Sequence, residues 1–141
     1  VGAVIVAGGP GDPRVLRSAI LTVKNLLSGV RILGIGLGHQ VLALALGCGI
    51  ARMKPGHHGV NYPVRDLVQG RCLITAQHHS FVVDKEAVAK GAEVTHVNVN
   101  DGTVEGIRSE AHPAASVQFH PSRDEMGRPS SILEEFVTGA R

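Results

Sequence analysis

The sequence predicts an α/β domain, and three observations carry that reading. Two runs rich in apolar and β-branched residues, Val1–Ala7 and Val30–Ile35, have the pattern of strands buried on both faces. Each leads through glycines into a segment whose apolar residues recur at helical spacing. After residue 50, strand candidates follow one another without long helices between them. The first half therefore predicts parallel strands, since a parallel pair needs a crossover and a helix is the usual one. The second half predicts antiparallel strands added to them.

The elements follow in order. Gly8-Gly9-Pro10-Gly11-Asp12-Pro13 is a turn, with Asp12 suited to an N-cap and Pro13 to the first helical position. Val15, Leu16, Ala19, Ile20, Val23, Leu26 and Leu27 then mark one face of a helix that Gly29 stops. Val30–Ile35 is the second strand, and Gly38–Leu46 a short apolar helix ended by Gly47-Cys48-Gly49. The later strands are Arg71–Gln77, Phe81–Val83, Glu93–Val99, Thr103–Arg108 and Ala114–Phe119. Asn100-Asp101-Gly102 reads as a hairpin turn. Ser130–Val137 is a terminal helix capped by Ser130 or Ser131.

Composition narrows the class. A chain of 141 residues is one domain, residues 1–141, large enough to bury a core without staples. A hydrophobic content of 43% excludes disorder. The apolar stretches are too short to span a membrane, and Val1–Ala7 lacks the basic flank of a signal peptide. A net charge of +2 and only four aromatics (Tyr62, Phe81, Phe119, Phe136) give no platform for nucleic acid. Cys48 and Cys72 show neither ligand nor redox spacing and read as free, buried thiols, which fits a cytoplasmic protein.

The segment Gly34-Ile35-Gly36-Leu37-Gly38-His39-Gln40 has the shape of a strand-to-helix elbow, which lifts one residue above the sheet edge to act as nucleophile. Here that residue is Gly36, which has no attacking atom. Three further blocks accompany the elbow: Gly8–Pro13, Thr75-Ala76-Gln77-His78-His79-Ser80-Phe81 and Gln118-Phe119-His120-Pro121. Together, in this order, they resemble the class I (triad) glutamine amidotransferases. Met53–Val64 and Asn100–Ile107 narrow the resemblance to the glutaminase domain of the carbamoyl-phosphate synthetase small subunit.

That resemblance implies a three-layer, flavodoxin-like fold: a mostly parallel sheet with flanking helices and added antiparallel strands. It also implies a preceding strand–helix–strand portion that this sequence lacks, so the chain is expected to be truncated and prone to self-association through an exposed edge. The family's chemistry needs a nucleophilic cysteine, a histidine base and a glutamate that orients it. By resemblance these positions are Gly36, His120 and Ser122, so two of three parts are changed. The oxyanion amides fall at Gly9 and Leu37. The glutamine contacts fall at Gly11, Leu37, Gln40, His78, Ser80 and Phe81, where the family prefers asparagine and glycine at positions 78 and 80.

The expectation is a degenerate amidotransferase domain that binds or regulates a carbamoyl-phosphate synthetase large subunit, with glutamine as a candidate ligand. The family reaction supplies ammonia for carbamoyl phosphate in pyrimidine and arginine synthesis. The alternative is an active glutamine hydrolase using another nucleophile, with Ser80, Cys48 and His79 as candidates, or one completed by a partner. No cofactor is expected. His57-His58 and His78-His79 have the residue type for a metal, but no cysteine or carboxylate cluster accompanies them in the sequence, so none is assigned.

Overall fold

The computed structural model describes residues 2–122 and 130–139. Its elements are β1 (Ala3–Val6), a 3-10 turn (Pro13–Val15), α1 (Arg17–Leu26), β2 (Arg31–Ile35), α2 (Leu37–Ala45), β3 (Ile50–Asp66) and β4 (Arg71–Val83). A second 3-10 turn (Lys85–Ala87), β5 (Ala92–Asn98), β6 (Val104–Ser109), β7 (Ala114–Val117) and α3 (Ser131–Thr138) complete it. The fold is mixed α/β: one seven-stranded sheet, ordered β1-β2-β7-β6-β5-β3-β4, with helices on both faces.

The sheet is not mostly parallel. Only β1–β2 and β2–β7 pair in parallel; β7–β6, β6–β5, β5–β3 and β3–β4 are antiparallel. The reason is connectivity. After α2 the chain offers no helical crossover until α3, so successive strands join by turns, which only antiparallel neighbours permit. Asn100-Asp101-Gly102 is one such turn: Gly102 takes φ +71°, and its N–H donates to the Asn98 carbonyl at 2.9 Å.

Alternation along β2 separates the two faces. Ile32 packs with Val23, Leu27, Val41, Leu42 and Ala45 of α1 and α2. Arg31, one residue away, points to the other face, where its Nη1 donates to the Phe136 carbonyl of α3 at 2.7 Å. Ile132 of α3 covers Val64, Val117 and Phe119 on that side. Each fully buried leucine or isoleucine in such a cluster contributes about 2 kcal/mol of transfer free energy.

Four expectations are corrected. β1 is an edge strand with Ile5 48% exposed, not a strand buried on both faces. The Asp12 cap and Pro13 start a 3-10 turn rather than α1; Leu16, at φ −87° and ψ 54°, breaks the helix between them. Arg71–Gln77 and Phe81–Val83 are one strand, paired with a strand the sequence did not announce, β3. Cys72 is exposed, because it sits on a solvent-facing position of β4; Cys48 is buried as expected. The terminal helix holds, with Ser130 as its cap: the Ser130 hydroxyl accepts from Ile132 N at 3.3 Å.

His39 of α2 is wholly buried beneath the sheet, with Nδ1 2.7 Å from the Ser116 hydroxyl. Burial, aided by His79 and His96, holds its pKa down at about 3. The folded value lies below the unfolded one of about 6.5, so the folded state resists protonation. This stability is present above pH 6.5 and drains away as pH falls towards 3, by up to about 1 kcal/mol per pH unit. Urea midpoints measured between pH 7 and 4 should fall, and a His39→Asn variant should show a slope shallower by about one proton.

Candidate active-site cleft

The elbow forms as the sequence predicts. Gly36 is the N-cap of α2 at φ 59°, ψ −115°, a backbone region that glycine alone visits without strain. Its N–H donates to the Val117 carbonyl at 3.0 Å, and its own carbonyl accepts from His39 N at 3.1 Å. Both strand and helix thus hold the turn. A Cβ built on Gly36 would meet Gly8 Cα at 3.5 Å and the Gln118 carbonyl oxygen at 4.0 Å, ordinary contacts. A side chain here would have space but a strained backbone. Gly36→Cys should therefore lower stability by about 1–3 kcal/mol, read as a lower Tm. An unchanged Tm would show that the turn relaxes.

Above the elbow lies an open cleft of about 1120 Å³. One wall is the loop after β1, with Gly9 and Gly11; the floor is Gly36, Leu37 and Gln40. The facing wall is β4, with His78, Ser80 and Phe81, and His120 closes the end. The fold thus gathers these nine sequence-selected positions from four separate segments. The tenth, Ser122, is exposed and does not line the cleft. A smaller cavity of about 290 Å³ under α3 contains none of them.

Local chemistry explains the cleft's shape. Leu37 opens α2, so its N–H belongs to the first turn that a helix leaves without intrahelical partners. That turn carries the positive end of the helix dipole and suits an anionic oxygen. Gln40 is 2% exposed, and its Nε2 donates to the Phe81 carbonyl and to Gln118 Oε1, both at 2.8 Å. Its donor end therefore braces the β4 wall and is not free for a ligand. Phe81 is flanked by guanidinium groups, Arg14 at 5.3 Å and Arg52 at 5.9 Å from its ring centre. His120 is exposed, held by its backbone N–H to the Ala76 carbonyl at 3.0 Å.

Behind the β4 wall is a polar cluster that reading residues one at a time missed. His57 Nδ1 and His79 Nε2 lie 3.0 and 2.7 Å from Gln77 Oε1, and His57 Nε2 lies 2.7 Å from Asp101 Oδ2. Glu105 is fully buried beside them. Burial pushes its carboxyl up to about 7, against hydrogen bonds from Asn98 and Gln77. Burial also holds His79 down at about 4, with the Phe81 carbonyl acting the other way. Asp101 is lowered: burial works against its charge, but the Thr103 and His57 hydrogen bonds outweigh it. The available signal was the pair of blocks Met53–Val64 and Asn100–Ile107, which carry His57, Asp101 and Glu105. The expectation that no carboxylate joins the histidines is corrected: the fold brings in two.

The profile of the glutamine amidotransferase class-I family matches residues 1–140, and the chain belongs to that family. Among solved structures, a GMP synthase component from Thermoplasma acidophilum superposes with a TM-score of 0.79 at 18% identity, covering 96% of this chain and 71% of that one. A glutamine amidotransferase from Thermotoga maritima gives a TM-score of 0.68 at 23% identity, with coverages of 82% and 55%.

Within the family the chain is homologous to carbamoyl phosphate synthase small chains. It is 44% identical over 137 residues to that of Caldanaerobacter subterraneus subsp. tengcongensis, spanning 96% of this chain and 38% of the relative. It is 47% identical over 136 residues to that of Oceanobacillus iheyensis, spanning 95% and 37%. The chain thus spans little more than a third of the length of these relatives. No helix among the described residues is long and apolar enough to cross a membrane.

Proposed function

We propose that residues 1–141 are an amidotransferase domain of the carbamoyl phosphate synthase small-chain type that has lost glutamine hydrolysis and acts as a binding or regulatory module. The observation that carries this reading is Gly36 at φ 59°, ψ −115°: an elbow in the geometry that presents a nucleophile, with no side chain to present. Without an attacking atom no acyl intermediate forms, and a neighbouring base has nothing to activate. Ser122 in place of an orienting carboxylate points the same way, since a hydroxyl brings no charge to stabilise an imidazolium.

What remains supports binding. Gly9 and Leu37 are the oxyanion amides of this proposal, and Gly11, Leu37, Gln40, His78, Ser80 and Phe81 form the glutamine pocket around them. His120, at the base position, becomes a hydrogen-bonding wall residue. The partner is a carbamoyl-phosphate synthetase large subunit in the cytosol, using free ammonia while this domain occupies the glutaminase position, within pyrimidine or arginine synthesis. Of the other candidate nucleophiles, Ser80 lines the cleft, on the wall and not at the elbow, and the remaining two fit poorly. Cys48 packs among Ala43, Val83, Val104 and Ile107, away from the cleft, and His79 is turned to Gln77 and Phe81.

Two measurements test the proposal together. Incubation with glutamine should release no glutamate above background, and a large subunit should retain this chain in pull-down. Turnover like that of an ordinary amidotransferase, or no association with a large subunit, would remove it.

A further inference from the structure

We infer that the buried cluster behind the cleft wall is a divalent-cation site, with His57, His79 and Glu105 as ligands and the Gln77 side-chain oxygen beside them. This inference is independent of whether the cleft binds glutamine. One ligand atom from each of the three residues lies within 4.8 Å of the other two. They arrive from β3 and β4, which are neighbours in the sheet, and from β6, on the far side of β5.

The hydrogen bonds on the outside of the cluster set the argument. The outer nitrogen of His57, Nε2, faces Asp101 Oδ2 at 2.7 Å. The outer nitrogen of His79, Nδ1, faces the Phe81 carbonyl oxygen at 2.7 Å. Both partners only accept, so each outer nitrogen carries a proton. With one proton per ring, the form a metal ion binds, the inner nitrogens His57 Nδ1 and His79 Nε2 present lone pairs to the cluster centre. There they meet Gln77 Oε1 at 3.0 and 2.7 Å, and His57 Nδ1 also meets Glu105 Oε1 at 3.5 Å.

The Gln77 amide is oriented from its far end. Its Nε2 donates to Thr75 Oγ1 at 3.0 Å, and the Thr75 hydroxyl donates to the Tyr62 carbonyl. Its oxygen therefore faces the histidines. His57 Nδ1, His79 Nε2 and Gln77 Oε1 thus face one another, with Glu105 Oε1, which accepts from Asn98 Nδ2 at 3.2 Å, beside them; a cation among these atoms would draw all four together. The second carboxyl oxygen of Glu105, Oε2, is buried without a hydrogen-bond partner, an open ligand position on the cluster.

A metal-ligating imidazole whose second N–H rests on a carboxylate or backbone carbonyl has the usual outer shell of a metal site, and both histidines have it. Two imidazoles, a carboxylate and an amide oxygen suit a borderline cation such as Zn2+ or Co2+. His57, Gln77 and Glu105 are buried and His79 is half-buried against the cleft, so the role is structural: the ion would tie β3, β4 and β6 together and stiffen the wall from Gln77 to Phe81.

The test uses the whole chain, stripped with chelator and titrated with Co2+, with Zn2+ content measured after loading and desalting. One equivalent should bind, with visible d–d absorption of cobalt on nitrogen and oxygen ligands and a raised Tm. Asp101 is 42% exposed at its side chain, so Asp101→Asn keeps the fold and should weaken the affinity about 10–100-fold through the outer shell. Glu105→Gln should weaken it further. His58→Asn removes an imidazole on the cleft rim, outside the cluster, and should leave binding unchanged. No saturable equivalent would overturn the site, leaving protons or a reversed Gln77 amide to satisfy the cluster. Binding insensitive to Asp101→Asn and Glu105→Gln, or abolished by His58→Asn, would overturn it equally.

Discussion

Gly38→Ala should abolish the fold or lower its stability by more than about 4 kcal/mol, an exceptional effect for one methyl group. A Cβ at residue 38 would fall far inside contact distance of the Val6 carbonyl oxygen and 2.5 Å from its carbon. These are backbone atoms of β1 and cannot rotate away. Gly34 shows the same closeness from the sheet side: a Cβ there would meet the Gly38 carbonyl oxygen at 2.5 Å and its carbon at 2.8 Å. α2 therefore lies on β1 and β2 with backbone against backbone. To admit the methyl group it must lift, taking Val41, Leu42, Ala43 and Ala45 out of their packing. A total stability of about 5–15 kcal/mol leaves little margin for that. Gly29→Ala is the control: nothing lies within 4 Å of its Cβ and its φ is not positive, so its change should stay within about 0.5 kcal/mol. Chemical denaturation of both variants decides the matter; equal, small effects would mean that the helix is free to shift.

These glycines also show what the sequence could and could not convey. The first fifty residues are legible because local signals agree there. Apolar runs, a glycine turn, helical spacing and a stop residue follow one another, and the elbow lies where strand gives way to helix. β3 is illegible for the opposite reason. Pro55, Pro63 and the polar pair His57-His58 contradict a strand, and the chain tolerates them through register shifts after Arg52 and Gly59. Most of β3 pairs only with β4, since β5 reaches it only from Val64 to Asp66, so prolines cost few ladder bonds there. The exposure of β1 was hidden too: an apolar run reports a preference for burial, while the strand order decides whether a neighbour exists.

The cleft divides along the same line. Its glycines and the elbow were readable, because turn chemistry is local. The joining of His57, Gln77, His79, Asp101 and Glu105 was not, because three strands from distant parts of the chain must meet before these groups touch. Histidine pairs that look isolated in sequence acquire carboxylates only through the order β6-β5-β3-β4 and the Asn100–Gly102 turn.

Gly36→Cys combined with Ser122→Glu should turn this chain into a glutaminase. Loss of a nucleophile from a catalytic triad costs about 10⁶ in turnover, and loss of the orienting acid on the order of 10⁴, with the two far from additive. Restoring both while His120 stays in the cleft should raise glutamate release at least about 10³-fold over the parent chain. The thiolate has room, since the nearest atoms to a Cβ at position 36 are 3.5 and 4.0 Å away. The single variant Gly36→Cys should react with an electrophilic glutamine analogue yet turn over slowly, because nothing holds the tautomer of His120. His78 and Ser80, in the places of asparagine and glycine, should show their effect in KM, since they line the wall and not the elbow. Strain at φ 59° should cost the double variant about 1–3 kcal/mol, which makes its Tm an internal check that the cysteine occupies the same turn. A folded double variant that binds glutamine and releases no glutamate would place the defect in the pocket. A covalent glutamyl adduct on the parent chain would show a nucleophile other than residue 36, and the reading of an empty elbow would fall with it.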